Sequence, residues 1–282
     1  MRGARGSGPG KPVDCRAMGD ELRLLGYREP LGLAVRRVPP PERQPDLRAE
    51  RFEYSSRGDR VAGRLWRPRR GGEHPLVLLQ HPDDPTRVEG IGGSWVRQGA
   101  AVAAIDLPLH GRREDHKFAS QLAPNLASSG TRHGDALAIE LARQAVIDLE
   151  RALDALTTMD GVDPDRIAYA GFRLGALIGA AFCALDPRPR AAVLALGGAG
   201  LALADIDPGA YVARFAPRPL LLVNALRDDA VPREAAEALA RAARDPVKQL
   251  WFDAGPEDLP EAALAAIWEF LANAIGLAPE GR

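Results

Sequence analysis

Residues 166–180 read RIAYAGFRLGALIGA, and the reading of that stretch decides the fold. Ile167 to Ala170 form a short apolar run of strand type. Gly171 and Gly175 bracket a three-residue turn, and Ala176, Gly179 and Ala180 give the following segment the small side chains of a helix packed closely on its neighbours. A strand, a glycine-flanked turn and a small-residue helix present whatever residue stands at the tip of the turn, and in enzymes that residue is commonly a nucleophile. Here it is Arg173, whose guanidinium is permanently cationic, carries donors only and has no lone pair to attack a carbonyl.

The strand and helix alternation extends in both directions. HPLVLLQH (74–81) contains four consecutive apolar residues, the pattern of a strand buried on both faces of a parallel sheet. AVAAID (101–106), AAVLALGG (191–198), PLLLVN (219–224) and KQLWF (248–252) read as further strands. Helical patterns separate them, around Val88 to Gln98 and over residues 133–158, 174–185, 233–244 and 260–276. FEYSS (52–56) and VAGRLWRP (61–68) alternate as an antiparallel edge hairpin. Repeated βα units specify a doubly wound, mainly parallel sheet with helices on both faces and right-handed crossovers. Residues 1–47 are rich in Pro, Arg and Gly and are expected to be a mostly irregular extension, followed by one domain over 48–278 and a tail over 279–282. The loop over 111–133 leaves the carboxyl end of a strand, where ligands bind in such sheets, and is the expected pocket wall.

The 282 residues suffice for one large α/β core, and the formal charge of −1 gives no field to attract nucleic acid or an anionic membrane. Arginine supplies 34 of 37 basic residues, so a single arginine is weak evidence of purpose. Cys15 and Cys183 are too few and too far apart for a disulfide framework or metal site, and the spacing of His110, His116 and His133 matches no tight ligand motif. Cys183 reads as a small buried apolar residue. Trp66, Trp95, Trp251 and Trp268 read as core or edge packing. No apolar leader region follows the basic start, and Met18 opens a more ordinary amino-terminus than Met1, leaving residues 1–17 as a possible tail or start artefact. The expectation is a cytoplasmic protein with no cofactor and no metal, whose partner is a small anionic ligand or another protein.

The segment DGVDPDRIAYAGFRLGALIGA (160–180) resembles the nucleophile elbow of the α/β-hydrolase superfamily, in its dienelactone hydrolase and acyl-esterase branch. IDLPLHGRR (105–113) is similar to a strand-end segment of those enzymes, and NALRDDAVP (224–232) to their acid-bearing turn, with Asp228 in the acid's place. The resemblance spans about residues 50–276 and implies the α/β-hydrolase fold and a triad in the chain order Ser, Asp, His. Two of the three positions depart from that pattern. Arg173 holds the nucleophile position, and Pro256 in FDAGPEDLPEAA stands where the histidine is expected. No shifted register restores the order, because no serine follows Ser129 and no histidine follows His133. On the oxyanion side, QHPDDPTR (80–87) brings Pro82, which has no amide hydrogen.

For Arg173 three readings stand together: an ion pair with Asp228, drift after hydrolysis was lost, or capture of a ligand anion at a helix amino-terminus. Internal pairing is preferred. The candidate pocket residues are Arg173, Asp228, His81, Phe172 and Leu174, whereas Asp106, Asp229 and Glu257 read as caps or solvated charges. The functional expectation is a non-hydrolytic pseudo-hydrolase acting as a binding or partner protein. Its alternative is an enzyme, of the hydrolase family or of lyase or isomerase type, that handles a small anionic substrate through Arg173 and Asp228.

Overall fold

The structure is a computed structural model that describes residues 33–38, 47–81, 85–114 and 132–277. Among the described residues nine strands form one sheet: β1 (Arg36–Val38), β2 (Leu47–Ser56), β3 (Asp59–Pro68), β4 (His74–Gln80), β5 (Ala101–Ile105), β6 (Val162–Phe172), β7 (Pro189–Ala195), β8 (Leu220–Ala225) and β9 (Val247–Phe252). Their order is β1-β2-β3-β5-β4-β6-β7-β8-β9. The first three strands are antiparallel, and β5 through β9 run parallel. The expected hairpin is present with Phe52 opposite Gly63, but its outer side is covered by β1, drawn from the segment read as mostly irregular.

Among the described residues six helices flank the sheet: α1 (Pro85–Arg97), α2 (Arg132–Leu156), α3 (Leu174–Leu185), the single turn α4 (Pro208–Tyr211), α5 (Arg233–Ala242) and α6 (Glu261–Ala274). The pleat of β4 explains the layers. Leu76 and Leu78 point into a core shared with α2, α3 and α5, whereas Val77 and Leu79 point into a second core with Trp95 of α1 and Ile267 and Trp268 of α6. Every residue of β4 is buried, as its apolar run requires. Trp95 and Trp268 stack at 5.8 Å between centroids and bind α1 to α6.

Two arginine-centred hydrogen-bond networks brace this frame. Arg113, just beyond β5, reaches Asp148 of α2 at 2.6 Å and Asp59 of the hairpin turn at 2.5 Å. Gln144 donates to the same Asp148 at 2.7 Å, and the hydroxyl of Tyr54 donates to the Asp148 carbonyl at 2.6 Å. At the far end of α3, Arg218 donates to the carbonyls of Cys183, Asp186 and Pro189 at 2.5, 2.8 and 3.0 Å, placing a cation where the helix carries its negative end.

The chain leaves β4 toward β5 on one side and returns through α2 to β6 on the other. The carboxyl ends of β4 and β6 therefore flank the point where the strand order reverses, the crevice at which open α/β sheets bind ligands.

Candidate functional site

β6 ends at Phe172 and α3 begins at Leu174, leaving Arg173 alone at the tip with φ 53° and ψ −114°. That backbone is unfavourable for an L-residue by about 1–3 kcal/mol, and it persists because its surroundings fix it. The Arg173 amide donates to the Ala195 carbonyl at 2.9 Å, while the Arg173 carbonyl accepts from Ala176 and Leu177 at 2.9 and 3.0 Å. The glycines are sterically necessary. A Cβ on Gly171 would lie 2.3 Å from the Gly175 carbonyl oxygen, and one on Gly175 would lie 2.5 Å from that of Gln80.

The Arg173 side chain is paired, but not with Asp228. Its Nη1 donates to Oε1 of Glu257, which stands in the loop between β9 and α6, next to Pro256. Asp228 is occupied within its own turn after β8, where Oδ1 accepts from the amides of Ala230 and Val231, each at 3.0 Å. The expected partner is thus corrected from Asp228 to Glu257, for a physical reason: one carboxylate closes its own turn, and the other is carried to the elbow by its loop. Glu257, read as a cap or a solvated charge, is the residue the sequence reading missed. Asp106 does act as a brace, with Oδ2 accepting from the Arg112 amide at 2.9 Å.

His81 follows β4 immediately, and its ring packs against Phe172 at 5.7 Å. It separates two cavities. The larger, about 680 Å3, opens between α1 and α6 and is bordered by His81, Trp95, Phe172, Leu196, Pro256 and Glu257 among others. The smaller, about 460 Å3, lies over the end of β5, bordered by Arg64, Trp66, His81, Asp106, His110 and Glu114 among others. Of the expected pocket residues, His81 and Phe172 line cavities; Arg173, Asp228 and Leu174 line neither of these two. From the expected pocket-wall loop, Gly111 and Glu114 line the smaller cavity, and residues 115–131 lie outside the described residues. So does His116. His110 Nδ1 lies 2.8 Å from the carbonyl of Pro108, a contact in which the ring nitrogen donates.

Cys183, ten residues beyond the elbow, is fully buried; burial pushes its thiol up, well above the usual range, against a smaller opposing pull from Arg218. Among the described residues no group of three or more His, Cys, Asp or Glu side chains could hold a metal ion, and no helix is long and apolar enough to cross a membrane.

No protein-family model matches the chain, and no curated protein matches its sequence. Solved structures do match. An acetyl xylan esterase from Paenibacillus sp. R4 aligns at a TM-score of 0.71 and 19% identity, over 90% of this chain and 92% of that one. A cold-adapted esterase from an Arctic intertidal metagenomic library aligns at 0.66 and 20% identity, over 85% of this chain and 99% of that one. A putative dienelactone hydrolase from Klebsiella pneumoniae subsp. pneumoniae MGH 78578 aligns at 0.61 and 18% identity, over 81% and 99%. At these identities the likeness speaks for architecture, and it agrees with the sheet order and the elbow: the chain has the α/β-hydrolase fold.

Proposed function

We propose that this chain is a non-hydrolytic relative of the esterases and dienelactone hydrolases, and that it serves as a binding or partner protein. The observation that carries the reading is the Arg173–Glu257 pair at the elbow tip. A serine hydrolase needs a nucleophile there and an imidazole facing it from the loop after the last strand. In this chain a guanidinium and a carboxylate from the corresponding loop hold each other instead, and Pro256 stands beside them. The guanidinium has no lone pair with which to attack a carbonyl, and no histidine follows His133 in the chain to serve as the base. The other reading, an enzyme using Arg173 and Asp228 on a small anionic substrate, requires both groups to face one cavity. They line neither of the two cavities beside the elbow, and each is already engaged.

Turnover of nitrophenyl acetate and butyrate tests the proposal. Purified protein is expected to hydrolyse neither above the buffer rate, and Arg173→Ser alone is expected to remain silent because the loop after β9 carries no histidine. Clear turnover by the unaltered protein that Arg173→Ala abolishes would overturn it.

A further inference from the structure

The larger cavity has a charge character opposite to the one expected for an arginine-bearing site. Its walls are mainly apolar, with Ile91, Phe172, Leu196, Leu259 and Leu264 beside the Trp95–Trp268 stack. Two carboxylates, Glu257 and Glu261, are among its lining residues, and no arginine or lysine is among the described residues that line it. The guanidinium of Arg173 holds Glu257 without itself bordering the cavity. Glu261 sits in the first turn of α6 and makes no ion pair among the described residues.

An apolar ligand entering between α1 and α6 therefore meets aromatic and aliphatic surface along its length and, beside the Arg173–Glu257 ion pair, the uncompensated carboxylate of Glu261. Anion capture by Arg173 is opposed twice, since Glu257 already occupies the guanidinium and a carboxylate ligand would have to approach Glu261 as well. We infer that this cavity binds a small molecule with an apolar body and a cationic ammonium end, and discriminates against the isosteric carboxylate. The volume of about 680 Å3 falls within the ordinary range for small-molecule pockets, roughly 300–1,000 Å3. The inference rests on the binding-protein reading above and supplies the ligand chemistry that reading leaves open.

Three isosteric probes test it: 4-phenylbutylammonium, 4-phenylbutanol and 4-phenylbutanoate, titrated against the full chain while tryptophan fluorescence is followed, since Trp95 and Trp268 border the cavity. At low salt the ammonium is expected to bind about five- to tenfold tighter than the alcohol, with the carboxylate weakest. Raising the salt to about 0.5 M is expected to bring the ammonium and the alcohol together by screening the rim. Glu261→Gln is expected to lower the ammonium preference by about threefold or more. Glu257→Gln releases Arg173 from its partner and leaves Glu261 as the lining carboxylate, and is expected to narrow the ammonium preference.

Both substitutions fall on exposed side chains, and a thermal melt of each variant is the control that it folds. Equal binding of ammonium and carboxylate by the unaltered protein, binding of none of the three, or an unchanged preference in both variants would each overturn the inference. Ester turnover in the same preparation separates the two readings. Turnover with the ammonium preference intact sinks only the non-hydrolytic proposal, and silence without that preference sinks only this one.

Discussion

The hydroxyl of Tyr169 donates to the carbonyl oxygen of Gly175 at 2.6 Å, joining the strand that enters the elbow to the helix that leaves it. The same ring fills the space a side chain would need at Gly179, where a Cβ would come within 2.2 Å of it. Strand and helix are thus held by a buried hydrogen bond whose geometry only glycines admit.

Substitutions at this contact separate close approach from hydrogen bonding. Tyr169→Phe is expected to cost about 1 kcal/mol, because it removes one buried hydrogen bond while the Gly175 carbonyl stays within its helix. Gly175→Ala is expected to cost more, about 2–4 kcal/mol, because its Cβ meets backbone, which cannot swing aside. Urea unfolding of the two variants checks the ranking; equal costs would mean the helix slides away at little expense.

The strain at Arg173 predicts an ordering that its ion pair does not affect. Arg173→Ala and Arg173→Gly both lose the pair with Glu257, whose worth at this exposure is at most about 1 kcal/mol. Only glycine relieves φ 53°. Arg173→Gly is therefore expected to be more stable than Arg173→Ala by about 1 kcal/mol in denaturant melts.

Asp148 couples the brace around Arg113 to acidity. Desolvation is the largest influence on its carboxyl and raises its pKa, against opposing pulls from Arg113 and from hydrogen bonds with Ser56 and Gln144. A carboxyl whose pKa is higher folded than unfolded binds more protons in the native state between those two values. Its own contribution to stability is complete below the unfolded pKa and declines as pH rises through the folded one. Arg113→Ala removes an opposing pull and leaves a buried carboxylate uncompensated, at an expected cost of about 3–5 kcal/mol at neutral pH. That cost should shrink as pH falls and Asp148 takes up its proton. A cost constant from pH 7 into the acid range would exclude Asp148 as the group left bare.

Cys183 serves as an internal reporter of unfolding. Its thiol is buried and is pushed well above the usual range by desolvation, so the reactive thiolate is scarce in the native state. In a Cys15→Ser background, alkylation by iodoacetamide at pH 8 is expected to be slow without denaturant and to accelerate in step with the loss of structure. Rapid labelling of the native protein would place the thiol at the surface.

Much of the architecture is written in local patterns. The Leu76–Leu79 run could be satisfied only by a strand covered on both faces, and the spacing of Gly171, Gly175 and Gly179 required a close strand–helix contact at a turn. What the sequence did not disclose were relationships between distant, ordinary-looking residues. Arg173 and Glu257 are 84 positions apart, and Glu257 lies in a loop with two other acidic residues, Asp253 and Asp258, so nothing local marked it as the partner. Asp228 was expected to face Arg173, yet an Asp followed by two amides in a tight turn tends to satisfy itself. The strand Arg36–Val38 was hidden by the Pro- and Arg-rich composition around it. The cavity between α1 and α6 depends on how two helices lie over the sheet, which periodicity does not encode.

The left-handed backbone at position 173 is imposed by what surrounds it, through Ala195, the two glycines and Tyr169, and not by the side chain it bears. The turn therefore behaves as a mounting socket: the scaffold supplies the position and the direction, and the chemistry displayed there is interchangeable. A residue with a reactive or spectroscopic group, introduced at 173, would inherit a fixed placement at the mouth of the sheet without any redesign of the fold.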